Sequence, residues 1–132
     1  MPTRLVHVGR SRTHLCVSSE LRECPRYATL SHCWGDLKLV NLTKDNFKSF
    51  CDEIPGSALS RTYSDAFEIV RYFGLDYIWI DSLCIMQDDS WDWHKESALM
   101  SDVYTTVLST FLHQSLEVAE RDVFRLEILI EY

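Results

Sequence analysis

The chain has 132 residues, 46% of them apolar and 25% charged, with a formal net charge of −7. That is the balance of a folded domain with room for one hydrophobic core. No basic stripe exists to grip nucleic acid, and no apolar run is long enough to span a bilayer. Charge is uneven: residues 1–26 hold five Arg against Glu20 and Glu23, whereas residues 75–104 hold six Asp and Glu96 against Lys95. The plain reading of the acidic stretch is a solvated face, and the sharper one is the rim of a site or a partner surface. Five cysteines, at 16, 24, 33, 51 and 84, cannot all pair. With no leader pattern ahead of them, they read as reduced thiols of a cytoplasmic protein.

Along the chain, residues 4–8 and 14–17 are short β-like pieces around the turn 9–12, which predicts a hairpin. Residues 27–34 alternate, with Ala28, Leu30 and His32 on one face, and predict the first main strand. Thr43 is placed to cap a short helix with Phe47, Phe50, Cys51 and Ile54 on its apolar face, stopped by Pro55-Gly56. A second helix starts near Ser60 or Thr62, the latter at capping-box spacing from Asp65. Its face is Tyr63, Ala66, Phe67, Val70 and Phe73, and Gly74 suits a left-handed cap. Residues 75–80 are apolar on both faces, as in a strand buried in a parallel sheet. Helix followed at once by buried strand is the rhythm of an α/β fold.

Asp89 or Ser90 can cap the third helix, with Asp92 in its first turn. Trp93, Glu96, Met100, Val103 and Val107 form its core-facing stripe. Residues 105–112 are β-branched enough for another strand. Leu116, Ala119, Val123, Leu126 and Ile130 then recur at spacings of 3 and 4, which predicts an amphipathic helix over 116–132. The division is therefore 1–112 for the main domain and 113–132 for a C-terminal helix.

In parallel sheets, ligands bind beyond the carboxyl ends of the strands. Here that position holds Asp81, Ser82, Cys84, Gln87 and, on the next helix, Trp93 and Glu96. Glu96 is the most informative of them, because a carboxylate on a core-facing stripe must pair, titrate or line a cavity. The plainer alternative is a boundary residue whose head reaches water. Asp81 binds ligand or caps its own turn. Cys84 is a nucleophile or simply a small buried hydrophobe. Gln87 fixes a ligand or ties down the loop. Trp34, Trp91 and Trp93 stack on a flat ring or supply core area. No paired metal-ligand spacing occurs, so neither metal nor cofactor is expected.

Four co-linear blocks resemble the fungal heterokaryon incompatibility (HET) domain. They are YATLSHCWG (27–35), LTKDNFKSF (42–50), IPGSALSRTYSDAFEIVRYFGLDYIWID (54–81), and IDSLCIMQDD (80–89) followed by W-x-x-E-x-x-x-M-x-x-V-Y (93–104). The resemblance runs from about residue 3 to residue 104. It implies a fold similar to TIR domains, a flavodoxin-like parallel sheet with flanking helices. It also implies a role in non-self recognition that triggers cell death. Some TIR domains hydrolyse NAD with a glutamate on the helix after a central strand. By that analogy Glu96 is the catalytic carboxylate, NAD is a substrate rather than a cofactor, and Trp34, Asp81, Ser82, Cys84, Gln87 and Trp93 bind it. The implied partners are a second copy of the chain, or an upstream sensor or allelic partner protein. Past residue 104 the chain departs from the family pattern, so a C-terminally incomplete or inactive domain is also an expectation.

Overall fold

In a computed structural model the chain is described over residues 1–32, 40–106, 117–118 and 122–129. Strands β1 (Arg4–Val8) and β2 (Thr13–Val17) form the predicted hairpin, paired antiparallel from Arg4↔Val17 to Val8↔Thr13. Its turn needs Gly9, where a Cβ would lie 2.9 Å from the Arg12 carbonyl oxygen and 2.9 Å from the His7 ring. Strand β3 (Tyr27–His32) is followed by helices α1 (Phe47–Asp52) and α2 (Arg61–Tyr72), then β4 (Tyr77–Ile80). A short turn of helix, α3 (Asp81–Cys84), leads to the long helix α4 (Ser90–Thr106). Strands β5 (Glu117–Val118) and β6 (Asp122–Leu129) complete the described elements.

The sheet order is β2-β1-β4-β3-β6-β5. As expected of strands joined by a helical crossover, β3 and β4 are parallel neighbours, in register from Tyr27↔Tyr77 to Leu30↔Ile80. The fold is thus α/β, but the sheet is mixed rather than parallel. The hairpin adds to β4 antiparallel through β1, and β6 adds to β3 antiparallel. Antiparallel neighbours do not require the crossover that parallel ones do, and both additions to the β3–β4 pair are antiparallel.

Helix α2 shows how local signals set an element. Ser60, not Thr62, is its N-cap, accepting the Tyr63 N–H. Tyr63, Ala66, Phe67 and Val70 are buried along one side, and Gly74 turns the chain out of the helix at φ 73°. Helix α1 starts later than expected: Asn46 precedes it, and the Asn46 side chain accepts the Thr43 N–H. The core joins Leu5, Val6 and Val8 of β1, Ile78 and Ile80 of β4, and Phe67 and Val70 of α2. Each such aliphatic side chain contributes about 1.5–3 kcal/mol on burial.

The C-terminal expectation is overturned. Instead of a helix over 116–132, residues 122–129 are a strand in register with β3, with Leu126 opposite Leu30 and Ile128 opposite Ala28. Phe124, Leu126, Ile128 and Ile130 alternate with Arg125, Glu127, Leu129 and Glu131. That period of two is as strong as the 3-and-4 stripe, and an open edge of β3 decides between them. The strand expected over 105–112 begins inside α4, which runs through Thr106. Its remaining residues lie outside those described.

Candidate functional site

The carboxyl end of β4 runs directly into α3, and the loop that follows is pinned from several sides. The Asp81 carboxylate accepts the Ser82 N–H at 2.7 Å, which is the turn-capping role. The Ser82 hydroxyl is fully buried and shares a 2.6 Å hydrogen bond with the Tyr63 hydroxyl. Backbone bonds tie the loop to residue 42: Leu42 N–H donates to the Ser82 carbonyl, and Gln87 N–H to the Leu42 carbonyl. The Gln87 side-chain amide donates to the carbonyls of Asp81 and Ile85, so it ties down the loop. Asp89 caps α4, its carboxylate accepting the N–H groups of Trp91 and Asp92.

The inward side of the first turns of α4 carries two acids, Asp92 (7% exposed) and Glu96 (0% exposed). Asp92 forms a buried ion pair with Arg4 and accepts the Met86 N–H at 2.9 Å. Burial opposes the Asp92 charge. The Arg4 hydrogen bond, the Met86 amide and the positive charges of Arg4 and Lys95 outweigh it, and hold the carboxyl below its ordinary range. The Arg4 Nε also donates to the Cys84 carbonyl at 2.8 Å. One oxygen of Glu96 accepts the Thr3 N–H at 3.2 Å, while Oε1 is buried with no hydrogen-bond partner. An unpaired buried acceptor is costly, at about 1–3 kcal/mol or more.

Cys84 lies under the same cluster and is fully buried. Burial first, with the charges of Glu96 and Asp81 adding to it, pushes its thiol up to about 12. It is therefore a thiol at neutral pH and a poor nucleophile. Cys16, Cys51 and Cys84 form no disulfide.

A groove of about 440 Å³ opens beside this cluster, lined by Gln87, Asp88, Ser90, Trp93 and His94. Trp93, expected on the core-facing stripe, is 48% exposed, and Trp91 is 70% exposed. The pairing of Asp92 and Glu96 with residues 3 and 4 sets which side of α4 faces in, and this turns Trp93 out. The sequence-predicted site residues thus fall into two groups. Ser82, Cys84 and Glu96 are enclosed, Gln87 and Trp93 border the open groove, and Asp81 is half-buried. Trp34 lies outside the described residues. Among the described residues no group of three or more His, Cys, Asp or Glu side chains is placed to hold a metal. None of their helices is long and apolar enough to cross a membrane.

Two residues of the cluster were not legible as site residues. Arg4 sits in an alternating strand, and Asp92 reads as a helix-dipole residue. The only sequence signal is that Asp92 and Glu96 stand four apart, on one side of one helix.

A comparison with protein families matches residues 27–127 to the family described as Heterokaryon incompatibility protein (HET). No curated protein and no solved structure matches the chain. The match takes in β3, the crossover to β4, the Asp81–Gln87 loop, Glu96 and most of β6. It spans well over half of the sequence, and the chain belongs to the heterokaryon incompatibility family.

Proposed function

We propose that this HET domain is a signalling domain of fungal non-self recognition, and that it promotes cell death by hydrolysing NAD at Glu96. The observation that carries the reading is a carboxylate held without exposure just beyond the end of β4, with one oxygen left unpaired. Structural acids are normally fully hydrogen-bonded when buried, and departures from that rule concentrate at functional sites.

The chemistry needs little else. Breaking the bond between ribose C1′ and the nicotinamide nitrogen sends the electron pair to nicotinamide, which leaves neutral. Positive charge develops on the ribose, and a fixed carboxylate stabilises it. Water adds to C1′ and loses a proton, giving ADP-ribose, nicotinamide and H⁺. The exposed ring of Trp93 and the groove beside it offer a wall for a flat ring. A TIR-like ancestry of the site remains part of this reading.

The exposure of both Trp91 and Trp93 favours a second reading, in which the groove docks a partner protein and no reaction occurs. Inducible expression in a filamentous fungus separates the two. The enzymatic reading predicts falling NAD and growth arrest with the wild-type chain, and neither with E96Q. Growth arrest that persists in E96Q with NAD unchanged supports docking.

A further inference from the structure

Over residues 90–99, α4 is held to the domain differently from α1 and α2. Helix α2 docks through Tyr63, Phe67 and Val70, and α1 through Phe50. Over residues 90–99 of α4 the buried side chains are two acids, Asp92 and Glu96, while Trp91, Trp93 and Ala98 face solvent. The docking contacts are polar: Arg4 to Asp92, Met86 N–H to Asp92, and Thr3 N–H to Glu96. Residues 2 and 3 are held in turn by Ser18, whose hydroxyl donates to the Pro2 carbonyl and whose N–H donates to the Thr3 carbonyl.

Residues 90–99 bury no apolar side chain fully, so parting these turns meets less hydrophobic opposition from the helix's own side chains than parting α2 would. Water would take over the hydrogen bonds of Asp92 and reach Glu96 Oε1, which has no partner while the helix is docked. Of the two acids only Asp92 is hydrogen-bonded to a positive side chain among the described residues; that side chain is Arg4, which also holds the Cys84 carbonyl.

We infer that the first turns of α4 form a gate latched by Arg4, and that opening this gate, with the sheet intact, joins Glu96 to the groove at Gln87 and Trp93. This rests on the reading of Glu96 as the site acid. In the closed arrangement the acid is sealed and inactive. Loss of the Arg4–Asp92 contact opens it. The latch residues 2–4 lie ahead of the span matched to the family.

The test is native-state modification of Cys84 by N-ethylmaleimide, read peptide by peptide by mass spectrometry, beside amide exchange at residues 78–80. In the unaltered chain the gate predicts that Cys84 reacts through an opening only weakly dependent on urea, while the β4 amides exchange through one strongly dependent on it. R4Q should speed Cys84 modification by about tenfold, the worth of one charge-assisted contact, and leave β4 exchange unchanged. Cys84 that reacts with the same urea dependence as the β4 amides exchange would overturn the gate. So would an R4Q chain whose Cys84 reacts no faster than wild type. Neither readout involves NAD, so a failed gate and a failed assignment of Glu96 chemistry are told apart.

Discussion

Ser82 was a candidate for substrate binding, but its hydroxyl is fully buried against the Tyr63 hydroxyl at 2.6 Å, and this gives a quantitative prediction. The pair ties α2 to the turn after β4. Tyr63→Phe removes one oxygen and strands the Ser82 hydroxyl without exposure to water, at a cost of about 1–3 kcal/mol. Ser82→Ala takes this hydrogen bond from the Tyr63 hydroxyl at a similar cost. Removing both oxygens leaves two apolar groups of nearly the same shape, so the double variant should lose less than the two single losses summed. The expected coupling is about 1 kcal/mol or more. Urea unfolding reads this directly. With a slope of about 1–3 kcal/mol per molar, each single variant should lower the midpoint by about 1 M at constant slope. Additive losses would show that the two hydroxyls are not coupled, as would a Ser82→Ala chain of unchanged stability that had lost its function. The second outcome would return Ser82 to ligand binding.

The acid limb of stability should depend on Asp92. Its folded value lies below its unfolded value of 3.8, so its contribution is fully present above that value and is lost as pH falls through the folded one. D92N should therefore flatten the fall in urea midpoint on acidification; an unchanged slope would remove the Arg4–Asp92 pair as a source of stability. Gly74 sits at φ 73°, so Gly74→Ala should cost about 1 kcal/mol in thermal or urea unfolding, and a neutral result would mean the helix ends differently. Ending the chain at residue 121 removes the partner of β3 along residues 27–32. The bared edge should make that version self-associate as concentration rises, as seen by light scattering; a stable monomer would deny β6 its place.

Local signals carried much of the fold because they act locally. The buried run 77–80, the left-handed Gly74 and the hairpin turn at Gly9 each leave one sensible structure for their neighbourhood. The position of Glu96 was legible because a carboxylate amid apolar neighbours is costly enough to stand out. What failed was decided at a distance. Phe124, Leu126 and Ile128 fit a helix or a strand by spacing, and the unpaired edge of β3, nearly a hundred residues away, chooses the strand. Trp93 looked like core because its spacing to Met100 is helical, yet α4 is oriented by ion pairing with the first strand. Arg4 could not be read as a site residue for the same reason: nothing near it in sequence says which acid it meets. Mixed rather than parallel pairing follows likewise from the hairpin finding β4, a long-range choice.

The central claim is that the sealed carboxylate of Glu96 is the reactive group of this HET domain. The most direct measurement is nicotinamide release from NAD by the purified chain, with R4Q and E96Q beside it and each checked for folding by circular dichroism. The expected result is release by the wild-type chain, faster release by R4Q, and none by a folded E96Q. Release that is unaffected by E96Q, or no release from any folded version including R4Q, would contradict it.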